Sequence, residues 1–310
     1  YQSTDVINCH SHMTYTMLKD KFPEKVSFIP HALPSEMFQQ LPESDIKKYK
    51  KEILGPDRED HFIGIWVNRN AKRKRPSDVL ESWKKFMEKL ESEKGHRKAT
   101  LIMHTDPHDH EGPNLLLTSE MLGVTDSVFF SNQRLEFDKM NILYNISDFC
   151  LNISYAEGFG LSTLECMLTG TPIVAVKTGG LTRQVVDHRD ETENGVAIDV
   201  TLQTLVGSQA VPYIYEDYAH IDDISDGILK LCTMPDEERK TVVIRAPLLS
   251  YSGYGVHSRQ IFKWLEGRDD INVVTQVVQW GNTTWMIDPD MENNLVGNIM
   301  KRSGMPENVN

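Results

Sequence analysis

Residues 157–165 read Glu-Gly-Phe-Gly-Leu-Ser-Thr-Leu-Glu and join a predicted strand to a predicted helix. The strand is predicted over residues 149–155 and the helix over residues 161–169. Gly158 and Gly160 allow the backbone to approach a ligand closely. The first amides of a helix lack intrahelical partners and favour negative charge. The stretch therefore predicts a strand, a turn and a helix that together fit a phosphate.

Two carboxylates flank this turn. Glu165 lies one turn into the predicted helix, too far in to cap it, so its carboxylate can accept paired hydrogen bonds from a ribose diol. Glu157 precedes the turn and faces the same crevice. A second interpretation stays open, in which an acidic residue complements the helix dipole and the glycines serve only the tight turn.

A basic loop follows a second apolar strand, predicted over residues 62–67. Residues 68–76 read Asn-Arg-Asn-Ala-Lys-Arg-Lys-Arg-Pro and carry five cationic side chains. Ligands of open α/β sheets bind at the carboxyl ends of the strands, so a basic loop there is typical of a diphosphate clamp. The alternatives are a solvated loop or a nucleic-acid patch. The formal net charge of -12 disfavours nucleic acid, because polyanion binding usually needs a basic face.

These segments resemble the C-terminal domain of retaining GT-B glycosyltransferases that carry a Glu-x7-Glu motif. The resemblance lies in Arg69 with Lys74, in residues 157–165, in residues 170–175 (Gly-Thr-Pro-Ile-Val-Ala), and in Gly179-Gly180-Leu181. It covers roughly residues 60 to 235, and the variant Asn-Arg-Asn-x-x-Arg-Lys-Arg resembles virus-encoded members. The fold that this implies is α/β, with two Rossmann-like, doubly wound domains facing a cleft.

The resemblance also implies a role for each matching residue. Arg69 and Lys74 would bind the donor diphosphate and neutralise charge on the leaving group. Glu165 would hold the ribose, and Glu157 would contact the transferred sugar. Further donor contacts are implied for Gly158, Phe159, Gly160, Leu161, Gly179 and Gly180, and for Asn132 near the base. Neither a metal nor a cofactor is implied, because the nucleotide-diphosphate sugar is itself the substrate.

The two ends of the chain depart from the family's order. Residues 241–262 predict a strand, a glycine loop and a helix, a unit that opens the N-terminal domain of the family. Its Gly253 and Gly255 would face the donor, and Ser258 replaces the third glycine of a dinucleotide fingerprint, which argues against an NAD enzyme. Residues 1–31 resemble the last βαβ unit of the same domain. Three explanations stay open: a circular permutation, a stretch of tandem transferases, or pieces joined out of order.

The predicted domains follow from this order. Residues 1–40 and 241–310 form an N-terminal-type acceptor domain, split between the chain ends and short for its kind, and residues 41–60 form a linker. Residues 61–240 form the donor domain. Within it we predict a helix over 76–94, a strand over 99–104, a helix over 115–122, a strand over 127–130 and a helix over 136–146.

Composition agrees with a cytoplasmic α/β enzyme. The chain has 310 residues, of which 39% are hydrophobic and 25% charged, enough for two cores. The four cysteines are scattered, which predicts reduced thiols, and neither a membrane span nor a secretory signal is recognisable. Residues 104–111 read His-Thr-Asp-Pro-His-Asp-His-Glu, which favours a solvated loop, with a zinc site as the alternative.

The sequence thus predicts a retaining glycosyltransferase of the hexosyltransferase type, using a UDP or GDP sugar. The acceptor is unknown and would be a carbohydrate, a glycoprotein or a lipid-linked molecule, and the enzyme would act in the cytoplasm, for a virus-encoded member that of the host. Two alternatives stay open: an inactive nucleotide-sugar binding module, and a phosphorylase or epimerase relative that shares the fold.

Overall fold

The computed structural model describes residues 3–34, 36–211, 213–234, 240–268, 271–278 and 284–303. Parts of the predicted acceptor domain, among them residues 1–2, 279–283 and 304–310, therefore lie outside the described residues. The chain forms two compact units, Tyr1–Thr233 and Met234–Asn310. The assignment of residues 1–40 and 241–310 to one domain stays a prediction.

Strands and helices alternate along the first unit. In chain order they are β1 (Ile7–Cys9), α1 (His12–Lys19), β2 (Val26–Phe28), α2 (Glu43–Leu54), β3 (Phe62–Val67), α3 (Pro76–Lys94), β4 (Ala99–His104), α4 (Leu115–Leu122), β5 (Val128–Ser131), α5 (Phe137–Asn145), β6 (Phe149–Asn152), α6 (Leu161–Leu168), β7 (Ile173–Val176), α7 (Thr182–Val185), β8 (Gly195–Ile198), β9 (Leu202–Val206), β10 (Ile214–Tyr218) and α8 (Ile221–Thr233).

A six-stranded parallel sheet forms the centre of this unit, in the order β5-β4-β3-β6-β7-β8. Numbered from β3, the order is 3-2-1-4-5-6, which is that of dinucleotide-binding folds. The chain reverses its direction of travel across the sheet between β3 and β6. The carboxyl ends of these two neighbouring strands therefore form the crevice in which such sheets bind ligands.

Side chains of the sheet alternate between two apolar cores. On one face Trp83 of α3 and Ile228 of α8 are fully buried with strand residues such as Leu101. On the other face Tyr144 of α5 and Cys166 of α6 are buried with strand residues such as Ile102. Apolar burial on both faces explains why these strands are nearly continuous hydrophobic runs. The prediction of a doubly wound α/β core is confirmed.

The predicted elements of the core agree with the observed ones to within a residue or so at most ends. The exception is the strand predicted over 149–155, because β6 ends at Asn152. The side-chain oxygen of Asn152 accepts hydrogen bonds from the backbone amide of Ser154 at 3.3 Å and from its hydroxyl at 2.7 Å. This local turn ends the strand early and starts the glycine turn.

The two chain ends each form a small βαβ unit. In the first compact unit β1 and β2 pair in parallel, with α1 between them. The second compact unit contains β11 (Lys240–Ala246), α9 (Gly253–Glu266), β12 (Ile271–Val277) and α10 (Leu295–Lys301), and β11 pairs with β12 in parallel. Its core includes Leu248, Phe262, Val296 and Ile299. The strand, glycine loop and helix predicted over 241–262 are thus present.

Candidate functional site

A cavity of about 450 Å³ lies at the carboxyl ends of β3 and β6, where the sheet order reverses. We call it the donor pocket, after the role that the sequence predicts for it. Its lining comes from the end of β3 and the loop after it, the glycine turn after β6, the first two turns of α6, and His31, which follows β2. The lining residues are His31, Val67, Asn68, Lys74, Glu157, Phe159, Gly160, Leu161, Ser162 and Glu165.

The glycine turn has a backbone that only glycine adopts easily. Gly160 precedes α6 with a φ of +91°, and a Cβ there would lie 2.6 Å from Thr163 Oγ1. Gly179 has a φ of +50°, and a Cβ there would lie 2.0 Å from the backbone oxygen of Glu157. The amide of Gly180 donates to that same oxygen at 2.9 Å. The segment 179–180 therefore packs backbone against backbone on the turn.

Gln184 of α7 fixes the glycine turn by hydrogen bonds, and sequence reasoning did not predict this role. Its amide nitrogen donates to the backbone oxygens of Phe159 at 2.7 Å and Gly160 at 3.1 Å, and its side-chain oxygen accepts from the Thr163 hydroxyl. The side chain is buried, so each of these bonds replaces water that the turn has lost. No motif marks this residue, since a glutamine on a short helix is unremarkable in sequence.

Lys74 and Glu157 form a buried ion pair inside the donor pocket. The Lys74 ammonium donates to Glu157 Oε2, and the two side chains are only 9% and 13% exposed. Burial lowers the pKa of Lys74, and the neighbouring Glu157 carboxylate opposes this effect. Lys74 ends a short 3-10 turn, Lys72–Lys74, after which Arg75 takes a left-handed conformation with a φ of 56°. Of the basic residues of the loop, Lys74 is the one that lines the donor pocket.

Glu165 lies one turn into α6 and lines the same pocket, as its spacing predicted. The Tyr144 hydroxyl donates to Glu165 Oε2 at 2.6 Å. Burial raises the pKa of Glu165, and this hydrogen bond opposes the rise. Tyr144 therefore orients the carboxylate, and the second oxygen stays available to a ligand hydroxyl.

Arg69 lies apart from this pocket lining. Its guanidinium donates to Asp109 at 2.7 Å and 3.2 Å and lies 3.0 Å from the Glu111 carboxylate. The side chain is 52% exposed. The hydrogen bond from Arg69 lowers the pKa of Asp109 and raises that of Arg69. Two acidic residues of the segment 104–111 are thus the ion-pair partners of Arg69.

Four residues that were predicted to contact the donor lie outside the lining of the donor pocket. Gly158 and Asn132 are exposed, and neither lines the donor pocket. Gly253 and Gly255 lie in the first turn of α9 in the second unit, where the Ser252 hydroxyl accepts from the Gly255 amide at 3.2 Å. A Cβ at Gly255 would lie 2.0 Å from the backbone oxygen of Ser250. Donor roles for these four residues stay predictions.

His31 is a further pocket residue that sequence reasoning missed. Its ring stacks on that of His10 with centroids 4.1 Å apart, and meets the Phe159 ring edge-on at 5.0 Å. The contact joins the first βαβ unit to the glycine turn. Because the two segments are about 130 residues apart in sequence, spacing alone gives no sign of it.

Several of the candidate metal ligands of residues 104–111 have other partners. Besides Asp109 and Glu111, His104 Nδ1 lies 2.9 Å from the Ser131 hydroxyl. Within the described ranges, no three His, Cys, Asp or Glu side chains are grouped so as to hold a metal ion. In the same part of the chain, we find no helix whose length and apolarity would let it cross a membrane.

Comparison with known proteins places these features in a family. Residues 47–242 match the sequence model of the family described as glycosyl transferases group 1. A curated relative, N-acetyl-alpha-D-glucosaminyl L-malate synthase of Bacillus anthracis, is 27% identical over 176 residues, which are 57% of this chain and 42% of the relative. The chain therefore spans less than half the length of that protein.

Solved structures share the fold. Sucrose-phosphate synthase from Thermosynechococcus elongatus superposes with a TM-score of 0.56 at 18% identity, over 75% of this chain and 50% of that protein. Anabaena HepE in complex with UDP and glucose gives a TM-score of 0.56 at 17% identity, over 74% of this chain and 54% of HepE. The predicted GT-B class, α/β and Rossmann-like, is confirmed.

Proposed function

Because this chain belongs to the group 1 glycosyl transferases, we propose that it transfers a sugar from a nucleotide-diphosphate sugar to an acceptor with retention of configuration. The observation that carries the proposal is the donor pocket, which places Lys74, Glu157 and Glu165 around the first turn of α6. That arrangement combines a cation, helix amides and carboxylates within one cavity at the switch point of the sheet.

The cation and the helix act on the diphosphate. Lys74 would exchange its bond with Glu157 for one with a phosphate oxygen, and its charge would stabilise the leaving group as the sugar departs. The first amides of α6, beginning at Leu161, would donate to the same phosphates. Since these groups supply the positive charge, the proposal includes neither a metal nor a cofactor. Arg69 would join them only by releasing Asp109 and Glu111.

The two carboxylates would bind the other parts of the donor, the ribose and the transferred sugar. Glu165, oriented by Tyr144, would accept hydrogen bonds from the ribose hydroxyls. Once Lys74 turns to the diphosphate, Glu157 would be free to accept a hydrogen bond from a hydroxyl of the transferred sugar or to stabilise positive charge at the anomeric carbon of that sugar. The Anabaena HepE complex contains UDP and glucose, which makes a UDP sugar the first donor to test. Cytoplasmic location, viral origin and the acceptor stay open predictions.

Radiolabelled UDP and GDP sugars test this function directly. We expect the protein to release or transfer labelled sugar from one donor class, and Glu157→Gln to reduce the rate about a hundredfold or more. Glu88→Gln is the matched control, because Glu88 is exposed on α3 and should leave the rate unchanged.

The same experiment separates the alternatives. Tight binding of the donor without turnover would identify a nucleotide-sugar binding module, and transfer to inorganic phosphate would identify a phosphorylase relative. If neither donor class binds the protein, the proposed function is wrong.

A further inference from the structure

A second cavity, of about 510 Å³, also has Phe159 in its lining and lies within the first compact unit. We call it the second cavity. It opens between the start of α1 and the segment that leads into α7. Apolar side chains form one part of its lining, and hydroxyls, imidazoles and a guanidinium form the other. Phe159 lines both cavities, so the second cavity is a neighbour of the donor pocket and has its own lining.

Two hydroxyls at this cavity have no hydrogen-bond partner in the part of the chain that the structure describes. Ser11 is 6% exposed, and its Oγ finds no partner among the described residues; Thr182 Oγ1 is buried in the same way. Both residues line the second cavity. Ser11 occupies the N-cap position of α1 but accepts no bond from the amides of that helix. A buried hydroxyl without a partner destabilises the protein, so a ligand that bonds both hydroxyls would remove that cost.

The polar side of the cavity contains the guanidinium of Arg183. Arg183 has no carboxylate partner in the described part of the chain, and its guanidinium lies 5.9 Å from the centre of the Phe28 ring. His12 and His188 line the cavity with it, and none of the lining residues is acidic. Asp187 Oδ1 lies 3.8 Å from His188 Nδ1, and the Asp187 carboxylate is already paired with Arg189. In a chain of net charge -12, a guanidinium without a carboxylate partner favours an anionic ligand.

Burial lowers the pKa of His12, and Arg183, His188 and Lys19 lower it further, which favours the neutral imidazole. His12 therefore offers a hydrogen bond to a ligand and adds no charge of its own. The start of α1 does add to the charge of Arg183. The first amides of α1, an eight-residue helix without an acidic side chain in its first turn, point their partial positive charge to the same side.

We infer that the second cavity binds a phosphate monoester whose organic group is apolar. The phosphate would accept hydrogen bonds from Ser11, Thr182, Arg183 and the first amides of α1. Several donors of different kinds suit the three oxygens of a phosphate better than the two of a carboxylate. The organic group would pack on Met13, Met17 and Phe28, of which the two methionines are 45% and 67% exposed in the unliganded protein. The site is separate from the donor pocket, so this inference does not rest on the proposed function.

Calorimetric titration with three probes tests it: phenyl phosphate, inorganic phosphate and benzyl alcohol. We expect phenyl phosphate to bind, inorganic phosphate to bind at least tenfold more weakly, and benzyl alcohol not to bind. Arg183→Ala should weaken phenyl phosphate at least tenfold, and Thr182→Val and Ser11→Ala severalfold each. Arg189→Ala is the matched control, because Arg189 is paired with Asp187 outside the cavity lining and should leave the affinity unchanged.

A competition with UDP distinguishes the two sites. Saturating UDP should leave the affinity for phenyl phosphate within about twofold, since the two ligands occupy different cavities. Displacement of phenyl phosphate by UDP, equal affinity for inorganic phosphate, or unchanged binding in Arg183→Ala would each overturn the inference. If phenyl phosphate binds as expected and neither UDP nor GDP binds, the proposed function is wrong and the inference about the second cavity holds. Thermal melts identify any variant that fails to fold. If Ser11→Ala does not fold, Thr182→Val alone tests the role of the two hydroxyls.

Discussion

The donor pocket and the second cavity share Phe159 in their linings, and they differ in whether their polar groups are already paired. In the donor pocket the Lys74 cation is already neutralised by Glu157, and Glu165 is already bonded to Tyr144. In the second cavity Arg183 has no carboxylate partner among the described residues, and two buried hydroxyls are unbonded. Lys74 and Glu165 must therefore give up or share an internal bond when a ligand binds in the donor pocket. In the second cavity, the hydrogen-bond donors can bind a ligand without breaking a bond within the protein.

This difference determines what a substitution should do in each place. In the donor pocket a change removes a partner that the folded protein needs, so stability and binding fall together. In the second cavity a change to an unpaired group should weaken the ligand and leave the fold nearly unaffected. Stability and affinity, measured on the same variants, therefore test the comparison.

The largest effect is expected for Lys74→Met. It leaves the Glu157 carboxylate buried without its partner, which should cost about 3 kcal/mol in the free energy of unfolding. The double variant Lys74→Met/Glu157→Gln should be more stable than Lys74→Met alone, because neither charge is then stranded. Urea denaturation measures both. The exposed neighbour Lys72→Met is the control, and a double variant less stable than the single one would contradict a coupled pair.

The second prediction concerns the segment that supports the glycine turn. Gly179→Ala introduces a Cβ 2.0 Å from the backbone oxygen of Glu157 at a φ of +50°, so the turn must move. We expect a loss of about 2–3 kcal/mol in stability and at least a tenfold loss of UDP affinity. Gly158→Ala is the matched control, since a Cβ there meets nothing within 4 Å. Equal effects of the two substitutions would argue against the packing described.

The third prediction follows from the raised pKa of Glu165. The folded state holds this proton more tightly than the unfolded state, so the stabilising contribution is present below the unfolded pKa and is lost as pH rises through the folded value. Glu165→Gln removes that loss. From about pH 4 to about pH 7, the stability of the variant should therefore gain relative to the wild type. Chemical denaturation across this range measures it, with Glu88→Gln as the control. If the stability of Glu165→Gln instead falls relative to the wild type as pH rises, the pKa of Glu165 is lowered in the folded state and the prediction is wrong.

The smallest effect is expected for Arg69→Ala. Its guanidinium is half exposed and shared between two carboxylates outside the pocket lining, so we expect unchanged stability and less than a tenfold loss of UDP affinity. Calorimetric titration of Arg69→Ala and Lys74→Met with UDP shows which of the two cations contributes more to UDP affinity. A larger loss of affinity for Arg69→Ala would mean that Arg69 turns to the diphosphate when the donor binds.

Sequence reasoning predicted those parts of the structure that depend on residues adjacent in the sequence. The glycine turn, the position of Glu165 in α6 and the basic loop after β3 are all local, so spacing and residue type suffice to predict them. Whether Lys74 or Arg69 turns inward depends on a 3-10 turn and a left-handed Arg75, which composition does not specify. Gln184 and His31 reach the turn only through tertiary packing. The second cavity joins residues about 170 positions apart and carries no motif.

The most direct test of the central claim is a crystal structure of the protein soaked with UDP. The account predicts that the Lys74 ammonium leaves Glu157 and lies about 3 Å from a diphosphate oxygen, with the ribose hydroxyls on Glu165. A nucleotide bound elsewhere, with the pair of Lys74 and Glu157 intact and the donor pocket unchanged, would contradict it.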